Sequence, residues 1–158
     1  YIFHATKTFS NLVQSLIKSK DLNNCEVISD DKIKSHILRK SIFAIAKSGT
    51  VSLEICNAKI PSIIIYKMGF INFFIIKMLI NTKFANIINI AAKEEIIPEL
   101  LQSNCSSNNI LKQVSDFIEN PDKVKSQIDK TQNILKKLKT ARSPSELAAK
   151  AVMRILQN

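Results

Sequence analysis

Short apolar runs rich in Ile, Val and Phe alternate along the first 66 residues with longer segments whose apolar positions recur at helical spacing, and few folds satisfy that alternation. Tyr1-Ile2-Phe3-His4-Ala5 reads as a strand, and Thr6 to Lys20 places Phe9, Leu12, Val13, Leu16 and Ile17 on one helical face. Cys25 to Ile28 and then Asp31 to about Lys40, with Ser29-Asp30-Asp31 as capping residues, repeat the unit. Ser41 to Ala46, Val51 to Ala58, and the continuous apolar run Ser62-Ile63-Ile64-Ile65-Tyr66 after Pro61 carry it on. An uninterrupted apolar strand needs cover on both sides, so the expected fold is α/β, a parallel sheet with helices on both faces. Ligands of such sheets sit beyond the carboxyl ends of the strands, where Ser48-Gly49-Thr50 and Tyr66-Lys67 both fall.

The junction Ala46-Lys47-Ser48-Gly49-Thr50-Val51-Ser52-Leu53-Glu54 has the makings of a phosphate and ribose site. A glycine there lets a ligand approach the backbone, and the following helix presents N–H groups that its own ladder leaves unpaired. Glu54, one turn after Thr50, shares its face of the helix and could accept hydrogen bonds from two ribose hydroxyls. The same residues equally suit an ordinary Ser/Thr helix cap followed by a glutamate that complements the helix dipole.

Several classes fall away. Gly49 and Gly69 are the only glycines, so neither a dinucleotide fingerprint nor a P-loop is present. Cys25, Cys56 and Cys105 are widely spaced and odd in number, which argues against a disulfide framework or a zinc site and suits a reducing compartment. No basic-then-apolar leader opens the sequence, so a cytoplasmic protein is expected. The start at Tyr1, already in a strand, suggests a piece of a longer chain. A net charge of +10 favours anionic partners: nucleic acid, an acidic lipid surface or a nucleotide-sugar diphosphate. The basic stretch of lysines between Asp122 and Thr140 lacks the interleaved aromatics that single-stranded nucleic acid would stack on, so nucleic acid is not expected.

Gly69 to Asn81 is apolar on nearly every side but too short to span a bilayer, which takes about 20 residues. With Lys67, Lys77 and Lys83 near it, the segment suits either a membrane surface or burial against another domain or subunit. Glu94 and Glu95 read as a solvated helix start, and Pro98 as the first turn of a short helix. Helices are expected over about Asn108 to Glu119, Asp122 to Thr140 and Pro144 to Gln157, the last opened by Ser143, Pro144 and Glu146.

Ser48-Gly49-Thr50 through Glu54, Pro61, Tyr66-Lys67, Asn89, Glu95 and Pro98-Glu99-Leu100-Leu101-Gln102, in this order, resemble the C-terminal part of the lipid-A-disaccharide synthases. The resemblance implies the C-terminal, Rossmann-like half of a GT-B glycosyltransferase. Residues 1–105 would be a partial nucleotide-sugar-binding domain and 106–158 a helical C-terminal tail. It implies transfer of 2,3-diacylglucosamine from UDP-2,3-diacylglucosamine to lipid X, forming the lipid A disaccharide, with no metal and no cofactor. Ser48, Gly49 and Thr50 would bound the diphosphate, Glu54 would hold ribose, Asn89 would be a donor-site residue, and Tyr66, Lys67 and Glu95 would line the same cleft. Ile71, Phe73, Phe74, Ile75, Lys77 and Met78 would meet lipid at an anionic membrane surface, the chain being peripheral to the inner membrane. The catalytic aspartate is expected in an N-terminal domain outside this sequence, so the chain alone is expected to be inactive. A homodimer, or pairing with a separate N-terminal half, is the assembly implied. The sequence departs from the family at Ile88, where proline is usual, and at Lys93 and Glu94, where glycine and a basic residue are usual. The other readings are a non-catalytic remnant and a UDP-binding or basic interaction module.

Overall fold

In a computed structural model, which describes residues 1–69, 82–139 and 143–156, the chain is α/β with parallel strands flanked by helices. It forms two compact units, Tyr1–Phe43 and Ala44–Asn158. The expected single sheet is two among the described residues, because β3 takes β4 rather than β2 as its neighbour.

In the first unit, β1 (Ile2–His4) and β2 (Glu26–Ile28) pair in parallel, with Phe3 opposite Val27. Helices α1 (Lys7–Ser19) and α2 (Asp31–Lys40) follow them. Asp30 caps α2, its carboxylate accepting the Lys32 N–H at 2.7 Å. Only Ala5 and Ile28 are buried in this unit.

The second unit is built around β4 (Ser62–Tyr66), the run the sequence marks as central. It lies between β3 (Ala44–Ala46) and β5 (Glu99–Leu101), parallel to both, with Ile64 opposite Ala46 on one side and Glu99 on the other. Ile63 and Ile64 are wholly buried. Among the described residues the unit's α-helices are α3 (Thr50–Asn57), α4 (Ile87–Ala92), α5 (Ser107–Glu119), α6 (Pro121–Leu138) and α7 (Pro144–Leu156). Ser106 caps α5, and Pro121 opens α6 where a missing N–H costs nothing. Cys56, Ile64, Ile88, Ile96, Ile97 and Ile134 form the core cluster, so α3, α4 and α6 all meet the sheet's apolar residues. On α6, Lys123 bonds Asp116 of α5 and lies 4.7 Å from the centroid of the Phe117 ring. That bond leads the causes that hold the Asp116 carboxyl below its ordinary value.

Two local expectations change. Pro98-Glu99-Leu100-Leu101 is not a helical turn; Glu99 to Leu101 pair with Ile64 to Tyr66, and the ladder overrides leucine's helical preference. Glu94 and Glu95 do not start a helix but follow one, since α4 ends at Lys93 in the left-handed conformation (φ 59°, ψ 21°). The apolar stretch expected to be helical over Gly69 to Asn81 lies almost wholly outside the described residues.

Side-chain amides extend the bonding of β4 past both neighbours. Gln127 of α6 accepts the Ser62 N–H at 2.8 Å and donates to the carbonyls of Ser62 and Ile96. Gln102, just beyond β5, accepts the Met68 N–H at 2.8 Å and donates back to the Met68 carbonyl at 3.1 Å. Each glutamine stands in for a strand residue, which leaves few backbone groups of β4 unpaired.

Candidate functional site

The strand ends of β3 and β4 open on one side of the second unit, and the residues that follow them are Lys47-Ser48-Gly49 and Lys67-Met68. Gly49 has φ 146° and ψ −164°, a backbone conformation essentially reserved for glycine. A Cβ added there would meet nothing within 4 Å, so the glycine is required by torsion rather than by crowding. Its carbonyl is fixed by the N–H of buried Ser52 at 3.1 Å and the Ser52 hydroxyl at 2.6 Å. That carbonyl is tied to the first turn of α3, whose opening N–H groups lie ahead of the helix's own i to i−4 ladder, and Gly49 and Thr50 at this junction are exposed.

Ser48 is anchored from outside the loop: its Oγ–H donates to the Ala85 carbonyl at 2.5 Å. The proton of that hydroxyl is therefore committed, and an anion arriving here would meet backbone N–H groups in preference to the serine side chain. Lys47 adds a cation beside the loop, its Nζ standing 4.8 Å from the centroid of the Tyr66 ring at the end of the neighbouring strand. Thr50 and Glu54 are exposed on α3 one turn apart, and Lys67 is exposed one residue past β4. The predicted residues Ser48, Gly49, Thr50, Glu54, Tyr66 and Lys67 thus belong to adjoining strand ends and one helix start.

Asn89 and Glu95 belong to a second cluster. Asn89 is fully buried, and its amide is saturated. Nδ2 donates to the Ile97 carbonyl at 2.7 Å and to Glu99 Oε1 at 2.8 Å, while Oδ1 accepts the N–H groups of Ile96 and Ile97, both at 2.9 Å. With no valence left over, Asn89 acts as a brace between α4 and the approach to β5. Exposed Glu95 accepts the Glu99 N–H at 3.1 Å. The two clusters meet at Ala85-Asn86, which Ser48 holds by a carbonyl and Glu99 holds by two amides: Ala85 N–H to Oε2 at 2.7 Å and Asn86 N–H to Oε1 at 3.0 Å.

Lys47, Glu99 and Gln102 are the site-adjacent residues that the sequence reading leaves out. Glu99 and Gln102 do stand in the Pro-Glu-Leu-Leu-Gln run that carries the resemblance, which was the available signal. Ile71, Phe73, Phe74, Ile75, Lys77 and Met78 lie outside the described residues. Among the described residues no helix is long and apolar enough to cross a membrane. A cavity of about 340 Å³ opens beside α5 and α6, lined by residues that include Pro98, Phe117, Lys123 and Lys130. Ser48, Gly49 and Thr50 are not among its walls.

Comparison with known proteins places these features in a lineage. A family model described as Lipid-A-disaccharide synthetase matches residues 2–152. A protein named lipid-A-disaccharide synthase from Rickettsia typhi is 41% identical over 127 residues, 79% of this chain and 33% of the relative. The protein of that name from Rickettsia prowazekii is 40% identical over the same length. That from Rickettsia conorii is 44% identical over 95 residues, 60% of this chain and 21% of the relative. The chain spans about a third of the length of the first two.

Proposed function

Since the chain belongs to the lipid-A-disaccharide synthetase family, we propose that its second unit is the donor-nucleotide part of a glycosyltransferase acting in lipid A synthesis. The donor would be UDP-2,3-diacylglucosamine and the acceptor lipid X. The observation that carries this reading is the Gly49 loop: a glycine-only torsion at the carboxyl end of β3 opens an α-helix beside a lysine, an arrangement suited to cradling an anion on backbone N–H groups.

In this reading the diphosphate lies against the N–H groups at the start of α3, with Lys47 and Lys67 supplying positive charge. As the glycosidic bond to UDP breaks, negative charge grows on the departing diphosphate, and the helix start and the lysines stabilise it without reorganising. Glu54 accepts the ribose hydroxyls from the same helix face. Asn89 and Glu95 act on the cleft through the backbone they brace. Acceptor contacts and a catalytic aspartate would come from an N-terminal domain outside this sequence, and the apolar stretch Ile71 to Met78 with Lys77 meets acylated substrate at the cytoplasmic face of the inner membrane.

Isothermal titration of UDP and of UMP into the chain tests the reading. UDP should bind tighter than UMP, because the cradle is a diphosphate site. Glu54→Ala should weaken UDP by about tenfold or more, the scale of hydrogen bonds to a charged group. A folded chain that shows no preference for UDP over UMP overturns it.

A further inference from the structure

We infer that Glu99 is the positioning residue of the proposed donor site: through Ala85-Asn86 it sets where Ser48, and with it the Gly49 loop, stands. The inference rests on the donor-site reading above for its functional meaning, and on geometry alone for the mechanical link.

The Glu99 carboxylate gathers donors from separate places. Oε2 accepts the Ala85 N–H at 2.7 Å, and Oε1 accepts both the Asn86 N–H at 3.0 Å and Asn89 Nδ2 at 2.8 Å. Its backbone is held from two directions: Glu99 lies opposite wholly buried Ile64, whose N–H donates to the adjacent Pro98 carbonyl at 2.9 Å, and the Glu99 N–H donates to Glu95 Oε1 at 3.1 Å. The carboxylate is thus a fixed point of the sheet, and the turn Ala85-Asn86 hangs from it by two amides. The Ala85 carbonyl, on the other face of that turn, receives the Ser48 hydroxyl at 2.5 Å. Charge-assisted bonds are the short, strong ones, so Glu99 holds Ala85-Asn86 firmly, and the hydroxyl–carbonyl bond of Ser48 carries that position on to the Gly49 loop. Within α3 the loop is tied by Ser52 to the Gly49 carbonyl, and the Ser48 hydroxyl adds a hold that comes from a different part of the chain.

Glu99→Gln separates the links. A glutamine has a single acceptor oxygen, which can keep Asn86 and Asn89 at the Oε1 position; its NH₂ then faces the Ala85 N–H, and that anchor is lost. In the ligand-free, ¹⁵N-labelled chain this variant should move the amide resonances of Ala85, Ser48, Gly49 and Thr50 and speed exchange at Ala85 about tenfold, leaving those of Ile96 and Ile97 in place. UDP affinity should fall about tenfold, and Ser48→Ala combined with Glu99→Gln should lose no more than the larger single loss, since both act through Ala85. UDP should also shift the Ala85 and Asn86 amides of the unaltered chain, a measurement that needs no variant.

Additive losses, unchanged Ser48 to Thr50 resonances in Glu99→Gln, or Ala85 and Asn86 amides indifferent to UDP would each overturn the assignment. The donor-site reading fails separately, by absence of UDP preference in the unaltered chain. In that event the ligand-free resonances still decide whether Glu99 sets the loop.

Discussion

The two units use the same strand–helix alternation and reach opposite degrees of closure. In residues 1–43 the amphipathic pattern is as regular as anywhere in the chain, yet α1 and α2 contain no buried residue, and Phe9, Leu12 and Leu16 are each more than half exposed. In the second unit α5 and α6 are as regular, yet there the elements close on an interior with Ile63, Ile64, Ile88 and Ile97 at zero exposure. Periodicity therefore makes elements, whereas a core requires facing elements to interlock. What interlocks here is largely polar: Asn89, Glu99, Gln102 and Gln127 tie loops and strands at points that isoleucine packing alone would leave free to slide.

The sharpest way to break that contrast is Asn89→Ala. It strands the N–H groups of Ile96 and Ile97 and the Ile97 carbonyl in a buried setting, and should cost the second unit about 3 kcal/mol. Leu16→Ala in the first unit removes a half-exposed side chain and should cost about 0.5 kcal/mol. Two cysteines report the units separately. Cys56 is 2% exposed and its thiol is pushed up to about 11 by burial, so it should alkylate at pH 8 only when the second unit opens. Cys25 in the first unit is half-buried and should react far sooner. Peptide-resolved alkylation against urea then reads both substitutions. Equal responses would mean that the amide network adds nothing.

Gly49→Ala should act next most strongly, and inside the loop. With no atom within 4 Å of the added Cβ, the whole penalty is torsional, about 1–3 kcal/mol. Because the strained residue is exposed, the loop is expected to relax into another conformation, so UDP affinity should fall further than the urea midpoint of the Cys56 reaction. A shift of the midpoint alone, with affinity intact, would remove Gly49 from the anion cradle.

Much of this was legible before any coordinates. The run Ser62 to Tyr66 became β4 residue for residue, because an uninterrupted apolar pentad after proline has few other uses. The helices beginning at Ser107, Pro121 and Pro144 fell within a residue of their capping signals. Glu99 to Leu101 was illegible as a strand because nothing local favours one: its β conformation comes from pairing with residues 35 positions earlier in the chain. Helix α4 was missed for a related reason, since Phe84 to Ile90 is apolar without a clean period and its start depends on the Asn86 side chain accepting the Ile88 N–H. Of the candidate site, the glycine junction was readable from residue type. The role of Glu99 was not, because its partners at 85, 86 and 89 come together only when β5 is in the sheet.

The gentlest test compares two left-handed residues, one from each unit. Lys93 closes α4 at φ 59°, and Asn24 precedes β2 at the same φ. Left-handed backbone costs a residue with a Cβ about 1 kcal/mol, and lysine gets no relief from it, whereas asparagine's short amide is tolerated there. Glycine removes the steric cost and adds part of it back through the greater freedom of the unfolded chain. Lys93→Gly should therefore raise the stability of the second unit by about 0.5 kcal/mol, as a higher urea midpoint for Cys56 at unchanged slope. Asn24→Gly should leave the Cys25 reaction within a few tenths of a kcal/mol of its starting value. A destabilising Lys93→Gly would show that the lysine side chain contributes more to the α4 terminus than its torsion costs.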